Sequence, residues 1–261
     1  MKTFLFDMDG TLTEPRKRMS QMMCRRLGDL QKLGHTVGIV SGSDLDYIME
    51  QCHLIYEIPG LDFDRLDLYP CNGTKHYRLG LQGRPIKLYE KSFREHVGDE
   101  VFSTLVFSLA SELSLLGMEP YSRIIPLTGN FINYRGSMIN FCPIGRGASQ
   151  EERSQWVVLD REFKIRKSLA TRLAHLFKDE RIVFKLGGDT SIDIFPTGWD
   201  KTYVLKNFQE NEAVYFVGDK CDNLGNDKEL YDAIKLRSNG ESFKTSGPSK
   251  TIQIIEKLIL S

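Results

Sequence analysis

The string DMDGT at residues 7–11 places two carboxylates, Asp7 and Asp9, one residue apart directly after a short apolar run. Like charges this close repel, so the pattern marks either a turn or a site that uses negative charge. Two more polar groups follow apolar runs in the same way: Ser41 after residues 37–40, and Asp219 after residues 213–217. In a parallel α/β sheet, ligands bind beyond the carboxyl ends of the strands. Asp7, Ser41 and Asp219 are therefore expected at one edge of such a sheet. Asp7 with Asp219 would form a carboxylate cluster, and a hard cation such as Mg²⁺ would offset its repulsion. Lys201 and the segment GDKCDNLGND at residues 218–227 add to that expectation. Taken alone, Ser41 reads equally well as a helix cap and Lys201 as a surface cation.

The elements that must position these residues alternate at both ends of the chain. Residues 3–6, 37–40 and 213–217 are short apolar strands. Residues 20–33 carry Met23, Leu27 and Leu30 at helical spacing, with Gly34 following as a C-cap. Helices are also expected over residues 44–52 and 251–260. Strand–helix–strand–helix implies a parallel sheet with right-handed crossovers.

The middle of the chain follows another pattern. Val97, Val101, Leu105 and Leu109 predict one long amphipathic helix over residues 93–116. In NFINYRGSMINFCP, Ile132 and Tyr134 alternate with Asn133 and Arg135, Gly136-Ser137 marks a turn, and Ile139 and Phe141 resume the alternation. This is a β-hairpin with one apolar and one mainly polar face, and Arg135 belongs to the polar face. Ile165, Leu169, Leu173 and Phe177 align on a second helix, and SIDIF at residues 191–195 alternates again, with Ser191 and Asp193 on its polar face. The expected architecture is an α/β core carrying an inserted α+β cap, an antiparallel sheet backed by two helices. Core segments are expected at residues 1–85 and 187–261, and the cap at residues 86–186.

Composition narrows the function classes. The chain has 261 residues with 35 Lys+Arg and 35 Asp+Glu, a net charge of zero, which argues against a general nucleic-acid binder. Five scattered cysteines form no CxxC pair, so neither a zinc site nor a disulfide framework is expected, and a reducing compartment is. No apolar run approaches the ~20 residues of a membrane span, and Asp7 and Asp9 interrupt any leader-like pattern. A cytoplasmic protein without membrane or nucleic-acid partners is the expectation. No GxGxxG follows a strand, which disfavours a dinucleotide-binding oxidoreductase.

DxDGT after the first strand, a Ser after the second, a later Lys and a terminal GD…ND segment resemble the haloacid dehalogenase superfamily of phosphotransferases. FDMDGTLTEPR, GIVSGSD, NFINYRGSMINFCPIGR, SQEER, IDIFPTGWDK and GDKCDNLGND together resemble the α-phosphomannomutases of that superfamily. These segments run in order through nearly the whole chain. The resemblance implies a Rossmann-like core with an α/β cap and a homodimer joined through the cap. It implies a small hexose phosphate as substrate, Mg²⁺ as cofactor and, for a mutase, a hexose 1,6-bisphosphate as activator.

On this resemblance Asp7 is the nucleophile, Asp9 the acid and base, and Lys201 and Ser41 contacts to the phosphoryl group. Asp7, the Asp9 carbonyl and Asp219 would hold the metal. Arg16, Arg135 and Arg146 would bind phosphate, Ser191 and Asp193 the sugar hydroxyls, and Asn72 would lie in an Asn-Gly loop near the cleft. Thr128 stands where the family carries a basic residue, and Cys71 where a Glu usually precedes the Asn-Gly loop. A phosphomannomutase that interconverts mannose 6-phosphate and mannose 1-phosphate and a sugar-phosphate phosphatase both use these core residues, so both readings stay open. A binding protein without catalysis would be expected to lack Asp7, Asp9, Lys201 or Asp219, and all four are present.

Overall fold

Phe4, Leu5 and Phe6 are all buried, as a strand covered on both faces requires. They form β1 (Thr3–Phe6). Phe4 and Phe6 join one apolar layer with Met23, Leu27, Ile254 and Ile255, while Leu5 joins the opposite layer with Val40, Val214, Phe216, Leu230 and Ile234. The structure is a computed structural model and describes residues 1–53, 61–80, 83–222 and 225–260. Two compact units divide the chain: Met1–Glu90 with Gly198–Ser261, and Lys91–Thr197.

The first unit is built on a seven-stranded sheet. β2 (Thr36–Val40) and β3 (Leu66–Tyr69) follow β1 on one side, and β10 (Val214–Gly218) and β11 (Gly240–Lys244) lie on the other. All five are parallel. β4 (Lys75–Leu79) and β5 (Pro85–Glu90) extend the sheet antiparallel beyond β3. The order β11-β10-β1-β2-β3-β4-β5 reverses between β1 and β10, the switch point where α/β folds place ligands. Helices α1 (Gln21–Lys32), α2 (Leu45–Gln51), α7 (Lys228–Lys235) and α8 (Pro248–Leu260) complete the unit. Ser20 caps α1 by accepting from the Met23 N–H, which satisfies one of the donors a helix start leaves unpaired.

The second unit holds a four-stranded antiparallel sheet of order β6-β7-β9-β8. Its strands are β6 (Ile132–Tyr134), β7 (Ile139–Phe141), β8 (Ile182–Gly187) and β9 (Ser191–Pro196). The expected hairpin is present, with Ile132 opposite Phe141 and Tyr134 opposite Ile139. The single long helix is not. It is two helices, α3 (Phe93–Val97) and α4 (Asp99–Leu116). Gly98 lies between them at φ 85° and ψ 156°, outside helical space, so the apolar period runs unbroken through a residue that ends one helix and starts the next. The core side chains there are Phe93, Phe102, Leu105 and Leu109, whereas Val97 and Val101 are half-buried.

α5 (Gln150–Phe163) and α6 (Ile165–Leu176) follow. The α6 face of Ile165, Leu169 and Leu173, with Phe177 just beyond, is buried as its spacing predicts. α5 is an element the apolar pattern did not reveal. Its signal was the capping box Ser149-x-x-Glu152, in which Ser149 Oγ accepts from the Glu152 N–H and the Glu152 carboxylate from the Ser149 N–H.

The unit boundaries fall after Glu90 and Thr197, rather than after residues 85 and 186. β5 pairs with β4 and so belongs to the first sheet. β8 and β9 pair with each other, and β9 with β7, so both belong to the second.

Candidate active site

β1 and β10 pair in register, Phe6 opposite Val217, and the Asp7 N–H donates to the Val217 carbonyl at 3.0 Å. This ladder delivers Asp7 and Asp219 to the same sheet edge. Lys201 opens a short 3-10 helix, Lys201–Asn207, capped by Asp200, whose Oδ1 accepts from the Thr202 N–H. The Lys201 ammonium is 1% exposed and donates to Oδ1 of both Asp7 and Asp227. Asp227 immediately precedes α7, is fully buried, and accepts from the Lys220 N–H through Oδ2 at 3.0 Å.

Asp7, Asp219 and Asp227 each offer an oxygen within 4.8 Å of the others. Asp227 is the member that sequence reasoning missed. Its signal was the last aspartate of the GD…ND segment, of which residues 223–224 lie outside the described residues.

Three acidic groups around one ammonium leave a charge imbalance. Burial, then the Asp227 carboxylate, pushes the Asp7 carboxyl up to about 8, against the pull of Lys201. Burial and Asp227 also raise Asp219. Burial disfavours the charged form of Lys201, but Asp227 and Asp7 outweigh it and hold the ammonium protonated. Asp219 Oδ1 is buried and has no hydrogen-bond partner among the described residues. An orphaned carboxylate oxygen in an all-oxygen acidic cluster fits a hard divalent cation. The approach to Asp219 is tight. Gly10 takes φ 87°, and a Cβ there would stand 2.4 Å from Asp219 Oδ2.

Ser41 follows β2 and is buried. Its Oγ accepts from the Ser43 N–H at 3.1 Å, the cap-like turn its type suggests, while its carbonyl accepts from the Asn72 N–H at 2.8 Å. Asn72 sits at φ 63°, and its Nδ2 donates to the Trp199 carbonyl at 3.4 Å, close in sequence to Lys201. Ser41, Asn72 and the Lys201 segment are thus gathered together.

The Asp9 carboxylate is not part of the acidic cluster among the described residues. Its Oδ1 accepts from the Tyr47 hydroxyl at 2.7 Å and from the Arg16 N–H at 3.2 Å. The Arg16 side chain is exposed.

In the second unit, Arg146 Nη1 donates to Asn140 Oδ1 at 2.9 Å, and Asn140 Nδ2 donates to Asp193 Oδ1 at 2.7 Å. Asn140, unassigned from sequence, therefore joins two expected site residues. The Arg146 loop is anchored at its backbone. The Arg146 N–H donates to the Gly129 carbonyl at 3.1 Å, and only glycine fits at 145, where φ is 83° and a Cβ would lie 2.4 Å from that carbonyl oxygen. Buried Arg153 donates to the carbonyls of Ala148 and Arg146 and to Thr190 Oγ1. Thr128 Oγ1 donates to the Ile144 carbonyl at 2.9 Å.

Arg135 differs from expectation. It is buried, while its neighbour Tyr134 is 42% exposed. At the tight turn of Gly136-Ser137 the Arg135 N–H donates to the Met138 carbonyl at 2.8 Å, and residue 135 lies on the buried side of the hairpin. Ser191 is buried, and its carbonyl accepts from Arg166 Nη1 at 3.1 Å.

A parallel sheet with a buried Asp–Lys–Asp cluster at its switch point, joined in sequence to an antiparallel α+β insert, defines a member of the haloacid dehalogenase superfamily. Solved structures agree on the fold. An N-terminally truncated Plasmodium falciparum IMP-nucleotidase matches with TM-score 0.65 at 14% identity, covering 99% of this chain and 70% of its own. An Aspergillus fumigatus trehalose-6-phosphate phosphatase matches with TM-score 0.52 at 18% identity, covering 99% and 92%. A sequence model of eukaryotic phosphomannomutase matches residues 25–261. The Encephalitozoon cuniculi phosphomannomutase is 40% identical over 87% of this chain and 83% of its own length. The Solanum lycopersicum phosphomannomutase is 37% identical over 98% and 93%. The chain belongs to the eukaryotic phosphomannomutase family.

Proposed function

We propose that this chain interconverts mannose 6-phosphate and mannose 1-phosphate through an aspartyl-phosphate on Asp7 and a hexose 1,6-bisphosphate. The observation that carries the reading is the buried Asp7–Lys201–Asp227 arrangement, with Asp219 beside it, in a chain of this family. An oxygen of Asp7 attacks phosphorus as the sugar O–P bond breaks, dividing one displacement into two. Asp9 gives its proton to the leaving sugar oxygen. In the return step it takes the proton of the attacking hydroxyl, whose oxygen displaces Asp7 from phosphorus. Lys201 and Ser41 face the transferring group, the ammonium countering its charge. Asp7, Asp219 and Asp227, with the Asp9 carbonyl, would hold Mg²⁺, which when bound offsets carboxylate repulsion and phosphoryl charge.

Arg135 and Arg146 would hold the phosphate that is not reacting, because a planar guanidinium matches phosphate oxygens. Arg16 is a further phosphate contact in this reading, Ser191 and Asp193 read sugar hydroxyls, and Asn72 supports the core loop. A homodimer through the second unit belongs to the same reading. Phe107 and Met118 are 76% and 79% exposed there, and light scattering of the purified chain tests it.

Thr128 keeps a phosphatase as the second reading, because its side chain brings no positive charge to a loop packed against Arg146. One assay separates the two. Protein, Mg²⁺ and mannose 1-phosphate are incubated with a trace of hexose 1,6-bisphosphate, and mannose 6-phosphate is compared with free phosphate. Mannose 6-phosphate as the main product is expected. Free phosphate alone overturns the mutase.

A further inference from the structure

A phosphorylated mutase faces a competing reaction: water can take the phosphoryl group from Asp7 before a sugar arrives. Attack by water needs a base, and Asp9 is the base of the reading above, on which this inference rests. The structure shows where that base is held. Asp9 Oδ1 accepts two hydrogen bonds, from the Tyr47 hydroxyl at 2.7 Å and from the Arg16 N–H at 3.2 Å. The same Arg16 N–H also reaches the Tyr47 oxygen at 3.2 Å, closing a three-membered polar node. Its parts come from three places in the first unit: the turn after β1, the segment before α1, and α2. Tyr47 is itself fixed at both ends, since its backbone N–H donates to the α2 cap residue Asp44 at 3.1 Å. Arg16 takes φ 63°, uncommon outside glycine, to present its N–H to the node.

We infer that Tyr47 is a positioning residue that latches Asp9 away from the phosphoryl group until a sugar phosphate binds. A carboxylate oxygen already accepting two donors is a poor partner for a passing water. The sugar hydroxyl, held by the rest of the substrate, has binding energy with which to break the latch. The cost is apparent affinity: if only the unlatched state is competent, the apparent Kd for substrate rises by the inverse of that state's population. Removing the hydroxyl should then move two quantities in opposite senses, more hydrolysis and a lower KM. A residue that merely supported packing would move neither in that pattern.

The test uses Tyr47→Phe in the full chain with Mg²⁺. Two measurements are made: decay of isotopically labelled phosphoenzyme in water without sugar, and isomer formed against phosphate released with mannose 1-phosphate and hexose 1,6-bisphosphate. Loss of one hydrogen bond to a charged group sets the scale, so phosphoenzyme decay and the ratio of phosphate to isomer should each rise about tenfold, with KM falling. Where the Phe variant does not fold, Tyr47→Leu removes the same hydroxyl and is read in the same way. Unchanged decay and unchanged partition in a folded variant overturn the latch, as does an equal loss of both reactions. A wild-type enzyme that only releases phosphate overturns the mutase reading separately, because phosphoenzyme decay in Tyr47→Phe still decides the latch.

Discussion

A carboxylate that attacks phosphorus must be anionic, and Asp7 sits where the protein makes ionisation costly. Burial and two neighbouring aspartates work against the single ammonium of Lys201. Asp7→Asn keeps the shape but removes charge and nucleophile, so turnover and phosphoenzyme should fall on the order of 10⁴-fold or more. Substantial activity in a wild-type-free preparation removes Asp7 from its role. Asp227 tests the other arm of the cluster. It anchors Lys201, is presented by the Lys220 N–H, and shares the cluster with Asp219. Asp227→Asn should raise the Mg²⁺ concentration needed for half-maximal activity about 10–100-fold, the usual cost of disturbing the surroundings of a metal. A metal titration of the variant decides this, and an unchanged midpoint would separate Asp227 from the cation.

Elements of this chain are started and stopped by single residues whose effects are local. Gly98 divides α3 from α4 inside an unbroken apolar period, and Ser149 starts α5 without any. Ser149→Ala removes both the cap and its half of the box, and should lower stability by about 1 kcal/mol with little change in activity. Chemical denaturation of the full chain measures the first and the isomerase assay the second. A large activity loss would show that α5 acts on the Arg146 loop through Arg153, which donates to that loop's carbonyls. At the sheet edge, the parallel register of β1 with β10 does for the site what a covalent link would do: it keeps Asp7 and Asp219 adjacent although more than 200 residues separate them.

For the molecule as a whole, the acidic cluster links metal, pH and stability. Asp7 ionises at its usual value of 3.8 when unfolded and at about 8 when folded. Between those values the folded chain binds more protons than the unfolded one, so stability falls as pH rises through the window. Below pH 3.8 the contribution is fully present, and above pH 8 it is lost. A cation needs the ionised carboxylates and competes with the proton. Mg²⁺ should therefore raise the thermal midpoint more at pH 8.5 than at pH 5.5, with EDTA reversing it. Scanning fluorimetry at both pH values measures this, and a pH-independent shift contradicts the site. Arg146 tests the second unit. Arg146→Ala should cut isomerisation about 10–100-fold more than hydrolysis of p-nitrophenyl phosphate, which has no second phosphate to hold. Equal losses would assign Arg146 to folding.

What the sequence by itself determined is whatever is written in neighbouring residues. β1, β2, β10, the hairpin and the faces of α1 and α6 follow from runs and periods a few residues long, and the polar groups that end those strands follow with them. The strands β4 and β5 were not legible, because the β5 side chains are largely exposed and its apolar content carries little burial signal. The same holds for the unit boundaries, which depend on which strands pair. Tertiary structure alone decided that Asp227 stands across Lys201 from Asp7, that Asn140 joins Arg146 to Asp193, and that Tyr47 meets Asp9 from 38 residues away. The physical reason is that propensity and periodicity are short-range, whereas a hydrogen bond between Lys201 and Asp7, 194 residues apart, exists only once parallel strand pairing has brought their segments to one edge.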